Sequence, residues 1–151
     1  MNARALVLIP LLAMAIVPGP AVGQDEPEAR QVTLFGVVAT PDDPYIDPKL
    51  AKVAPQLRKL LPDHGFRLLG VKTKRLTRGQ TLTCSLGEGF TAATTLTEVA
   101  DADGKVKLKC EVLRQRAAVL ESQVTTPTNQ LFFCDKMLDD GTRLLVGIGA
   151  R

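Results

Sequence analysis

The sequence predicts an α+β fold: a predominantly antiparallel β-sheet, sandwich-like or curled, with one amphipathic, Pro-kinked helix near the start of the folded chain. Three observations predict it. Between Lys105 and Thr125 polar residues (Lys105, Lys107, Lys109, Glu111) alternate with apolar ones (Val106, Leu108, Cys110, Val112). The alternation resumes after a polar turn with Ala118, Leu120, Ser122 and Val124 on one side. A period of two is the mark of a strand with one wet face and one buried face, and two such runs joined by a short turn form a hairpin. Second, turn signals punctuate the chain at short intervals: Arg78-Gly79, Gly87-Glu88-Gly89, Asp103-Gly104 and Asp140-Gly141. Third, one stretch alone has helical spacing, with Leu50, Val53, Ala54, Leu57, Leu60 and Leu61 on one side.

The chain has 151 residues, and the sequence divides them into a leader and one domain. Met1 to Gly23 has the layout of a secretory signal peptide. Arg4 supplies the positive start, Ala5 to Val17 the apolar run, and Pro18-Gly19-Pro20 the break before Ala21-Val22-Gly23. Cleavage is expected between Gly23 and Gln24, leaving an exported chain, periplasmic or extracellular, with no stable transmembrane segment. Gln24 to Arg30 reads as a flexible leader and residues 31–151 as a single β-rich domain. Removing Arg4 leaves 18 basic against 16 acidic residues. That excess is too small to argue for nucleic acid.

In order, Gln31 to Thr40 is the first strand. Val32, Leu34, Gly36 and Val38 share one face, and Phe35 and Val37 on the other imply cover on both sides. Pro41 to Pro48 is a stiff loop in which Asp47 is placed to cap and Pro48 to open a helix. Pro55 kinks that helix or splits it in two, and Pro62 and Gly65 end it. Extended runs follow at Phe66–Leu76, Thr81–Leu86 and Ala92–Ala100, the last with a broken alternation that implies a bulge. After the hairpin come Gln130–Asp135 and a closing strand, Thr142–Ile148, with Leu144, Val146 and Ile148 inward.

Chemistry-bearing residues are few. His64 is the one histidine, so a Ser-His-Asp or Cys-His mechanism has to pass through it. Its setting, Pro62-Asp63-His64-Gly65, is that of a capping or surface residue. No zinc-ligand spacing and no phosphate-cradling glycine loop is present, so no cofactor is expected. Asp42, Asp43 and Asp47 form a weak candidate loop for an ion or a contact. Lys72, Lys74, Arg75 and Arg78 form a candidate basic contact face, to which Lys105, Lys107 and Lys109 would add if they share it. Cys84, Cys110 and Cys134 are an odd set, each on an apolar-alternating run. Two readings stay open: burial as small hydrophobes, or one bridge. Cys84 with Cys134 is the pair if their strands are neighbours.

Asp47-Pro48-Lys49-Leu50, Arg67-Leu68-Leu69, the alternating pair from Val106 to Val124 and the closing Gly141–Ile148 run resemble small exported β-rich bacterial proteins of uncharacterised function. The closing strand pattern is also similar to the tail of modules in the secretins of the outer membrane. That resemblance implies an envelope setting and carries over no functional residue. The sequence therefore points to a non-enzymatic exported domain working by contact with an envelope protein, linked to secretion or surface assembly. A secreted small-ligand or calcium binder is the alternative, and a small hydrolase a third reading.

Overall fold

A computed structural model describes residues 28–99 and 104–151. The leader Met1–Gly23, its cleavage site and the Asp101 to Asp103 part of one turn lie outside the described residues. Among the described residues, eight strands form two antiparallel four-stranded sheets. One sheet contains β2 (His64–Thr77), β1 (Ala29–Pro41), β8 (Arg143–Ala150) and β7 (Leu131–Met137), in that order. The other is a meander of β3 (Thr81–Gly87), β4 (Phe90–Glu98), β5 (Lys105–Arg114) and β6 (Ala117–Pro127). The fold is thus the mainly antiparallel α+β class that the alternation and turn signals predict. Around the whole perimeter strand neighbours follow chain order, and β1 pairing with β8 closes the circuit. It is an up-and-down circuit flattened into a sandwich.

Parity explains the layers. Val32 and Leu34 of β1, Leu76 of β2 and Leu144, Val146 and Ile148 of β8 face the meander, where they meet Leu82, Leu96, Leu108 and Val112. Sequence parity had placed Leu144, Val146 and Ile148 inward, and they are. The odd positions of β1, Phe35, Val37 and Ala39, join Leu145 on the opposite face and pack under Leu50 and Leu57. The β1–β8 sheet is therefore the middle layer, apolar on both faces. The meander has one dry face only. Its outer face carries threonines and the ion pairs Lys107–Glu98 at 3.3 Å, Lys109–Glu111 at 2.8 Å and Lys109–Glu121 at 3.1 Å.

The helical cover differs in detail from one kinked helix. It is split: a 3-10 turn, Pro48–Leu50, then α1, Ala54–Leu60. Pro55 lies in the first turn of α1, where its missing N–H has no carbonyl to leave unpaired. The first strand also begins earlier than read from sequence. Ala29 and Arg30, assigned to the flexible leader, pair with Thr77 and Leu76 and belong to β1. The bulge expected within Ala92–Ala100 is present, as a register shift between Leu96 and Glu98. Among the described residues no helix is long and apolar enough to cross a membrane.

Candidate functional site

A cleft lies on the helix-side face of the middle sheet. Two glycines of β8 lower its floor. A Cβ on Gly147 would fall within the Phe35 ring, and one on Gly149 would meet Leu131 Cδ2 at 2.9 Å. Phe35 lies over Gly147, and its ring meets Phe133 edge to face at a centroid distance of 5.7 Å. The segment between the 3-10 turn and α1 supplies one wall through Lys52, Val53 and Gln56. Gln31, Thr33 and Val71 supply the other, and Asn129, Gln130 and Arg151 close one end. The cleft has a volume of about 750 Å³.

Its chemistry is amphipathic. Phe35, Val53, Val71, Leu131 and Ala150 are apolar, while Gln31, Gln56, Asn129 and Gln130 present four side-chain amides. Lys52 and Arg151 are its cations, and among the described residues no Asp or Glu side chain lines it. The end wall is built by backbone pairing. Gln31 and Arg151 exchange N–H···O bonds of 2.8 and 3.0 Å, and the Asn129 N–H donates to the Ala150 carbonyl at 2.7 Å. The Arg151 Nε donates to Gln31 Oε1 at 2.9 Å, which holds both side chains at the rim. Sequence reading missed this site. Its residues come from five separate segments, and the one local signal, glycine at alternate positions 147 and 149 of an apolar strand, acquires meaning only with Phe35 beside it.

The aspartate loop is committed to its own backbone. Asp43 Oδ1 accepts from the Tyr45 N–H at 2.9 Å, and Gly65 leaves the room Asp43 occupies: a Cβ there would meet Asp43 Cγ at 2.7 Å. Asp47 Oδ1 accepts from the Lys49 N–H at 3.0 Å, and Oδ2 from the Leu68 N–H at 3.3 Å. The Lys49 N–H foremost holds its carboxyl below the usual aspartate value. The Asp42 N–H donates to the Asp63 carbonyl at 2.8 Å, with φ of 57°. Asp47 thus caps as its position predicted, though the turn it caps is 3-10. The loop then runs beside β2, bridging Ile46 to Phe66 and covering the start of that edge strand. Among the described residues no three His, Cys, Asp or Glu side chains gather as a metal-holding group.

The basic run does not form one face. Lys72 and Lys74 point to one side of β2, Arg75 to the other, opposite Gln31 at the cleft, and Arg78 lies at the β2–β3 corner. Lys105, Lys107 and Lys109 belong to the other sheet, so the two sets make no common positive face. Glu111 first, and then Glu121, raise the Lys109 pKa by holding its ammonium.

All three cysteines are buried free thiols. Cys84 lies against Gly70, where its Sγ would be 3.1 Å from a Cβ, and burial raises its pKa. Cys134 does not meet Cys84, the partner considered from sequence. The Cys110 thiol holds the Cys134 pKa down, and that of Cys110 is in turn pushed up by Cys134 and by burial. His64 Nδ1 donates to the Pro62 carbonyl at 2.9 Å, a local turn contact.

No protein-family model, no curated protein and no solved structure matches the chain.

Proposed function

We propose that this protein is an exported, non-enzymatic contact domain of the cell envelope that holds an extended segment of a partner protein in the cleft over the β1–β8 sheet. The observation that carries the reading is the lining of that cleft. Apolar side chains on the floor favour burial of a partner's alternate side chains. Four side-chain amides at the walls supply donors and acceptors that match a peptide backbone. With Lys52 and Arg151 at the rim and no carboxylate among the described lining residues, the segment is neutral to acidic. The export half of the reading rests on the Met1–Gly23 pattern.

A small amphipathic ligand is the second reading, favoured by the cleft volume of about 750 Å³, inside the roughly 300–1,000 Å³ common for such sites. The native size of the protein in gentle extracts of the producing cell separates the two. The contact reading expects comigration with a larger assembly, and migration at monomer size in a Val71→Arg variant. Val71 is 53 % exposed, so that change fills the cleft without disturbing the core. Monomer-sized migration of both proteins counts against it.

A further inference from the structure

Each sheet ends in two edge strands, β2 and β7 in one, β3 and β6 in the other. An edge offers unpaired N–H and C=O groups to any chain that can lie beside it, and proteins blunt their edges accordingly. Three of these four are blunted. β2 carries exposed Lys72 and Lys74, breaks register opposite Gly36 and Val37, and is bridged at its start by Ile46. β3 lies against β2, so closely that a Cβ on Gly70 would be 2.7 Å from the Ser85 carbonyl oxygen. β6 breaks register with β5 between Val112 and Leu113 and ends at Pro127. β7 has none of these devices. It contains no glycine or proline, and its pairing with β8 from Leu131 to Met137 runs without a break. Among the described residues no backbone hydrogen bond joins residues 131–137 to anything but β8. Two of its large apolar side chains are exposed, Phe132 at 38 % and Met137 at 59 %.

We infer that β7 pairs edge to edge with β7 of a second copy of this chain, antiparallel about a two-fold axis, which joins two four-stranded sheets into one of eight strands. The sequence of the edge is complementary to itself in that arrangement. Phe132, Cys134 and Lys136 lie on the meander-facing side, because they pair with Ile148, Val146 and Leu144. Leu131, Phe133, Asp135 and Met137 lie on the helix side. With the axis at Cys134 every position of the strand is paired. Leu131 then meets Met137 of the second copy, apolar against apolar, and Phe132 meets its Lys136, a ring against an ammonium.

The charges on β7 select that register. Asp135 opposite Phe133 of the second copy is already held by Arg143 at 2.6 Å, so it is not left as an unpaired charge. A slip that moves the axis to Asp135 sets two carboxylates against each other, and one that moves it to Lys136 sets two ammonium groups together. Lys136, which would guard the edge against an apolar strand, is thus accommodated by a second copy and rejects its wrong registers. Seven ladder positions make a small contact, of the weak and concentration-dependent kind, so the pair dissociates on dilution into a cell extract. The inference goes beyond the cleft, and its test does not depend on what the cleft holds.

Sedimentation of the purified protein over a range of concentrations reads the pairing. The inference expects a mass that rises from one chain to two and stops there. Phe132→Lys sets like charges against Lys136 of the second copy, twice in each pair, and should raise the dissociation constant about tenfold. Phe132→Glu sets opposite charges there and should lower it, and adding Lys136→Glu to Phe132→Lys should restore the pairing. In the producing cell a photoreactive residue at position 132 is expected to give a product of twice the chain mass. A one-chain mass at every concentration overturns the inference, as does a mass that grows beyond two copies. Equal effects of Phe132→Lys and Phe132→Glu overturn it too, and so does a crosslink from position 132 to a different protein in place of a second copy. Should Phe132→Lys not fold, a Phe132→Glu protein that pairs no more tightly than wild type does the same.

Discussion

At the scale of single residues, the fold depends on a few positions where one atom more or less decides the geometry. Gly147 is one, because the Phe35 ring occupies the space of its missing Cβ. Gly147→Ala should destabilise the protein by about 1–3 kcal/mol through overpacking, read from urea unfolding. The same change in a Phe35→Leu background should cost less, because the ring that clashes is gone. Asp47 is another. Its folded pKa is lowered, chiefly by the Lys49 N–H, so its stabilising contribution is complete above the unfolded pKa of about 3.9 and is lost as pH falls through the folded value. The Tm gap between wild type and Asp47→Ala should be widest near neutral pH and shrink below pH ~4. Equal gaps at pH 7 and pH 2 would mean that the carboxylate charge is irrelevant to the cap.

Single elements show how far local pattern reaches. The β5–β6 hairpin was legible because its alternation and its polar turn agree: Lys109 and Gln123 pair outward, Leu108 and Val124 inward. Its turn residues, Gln115 and Arg116, both take positive φ, of 49° and 70°. That conformation suits Asn-Gly far better than two long side chains. Replacing them, as Gln115→Asn with Arg116→Gly, should raise stability by about 1 kcal/mol, seen as a higher urea midpoint with unchanged slope. The helical segment was less legible. Leu50 and Leu57 are buried as their spacing required. Leu60, on the same predicted stripe, is 50 % exposed, because α1 buries the line of Ala54 and Leu57, with Leu61 packed beside it, and Leu60 falls at that line's edge. Periodicity assigns a face only to an uninterrupted helix, and this one is broken between Leu50 and Ala54, with Pro55 in the first turn of the second piece.

At the scale of the molecule, the closing β1–β8 ladder is what makes the site, and it was the least legible feature. Phe35 pairs with Gly147 and Val32 with Ala150, partners more than a hundred positions apart that no local pattern connects. Without that ladder the alternation of β8 implied a dry face but not the floor of a cleft. The cysteines follow the same logic. Parity placed Cys110 and Cys134 inward, and only the stacking of the two sheets puts them in one buried cluster. The basic run divides for the complementary reason: Lys74 and Arg75 are adjacent in sequence, but a strand sends adjacent side chains to opposite sides. The claim that the cleft is the working surface is tested most directly by a photoreactive amino acid at Gln56, on the cleft wall, and at Gln123, on the outer face of the meander, in the producing cell. The account predicts a crosslink to one discrete envelope protein from position 56, absent from position 123 and lost when Val71→Arg is added. Labelling from position 123 alone, or from position 56 undiminished by Val71→Arg, would contradict it.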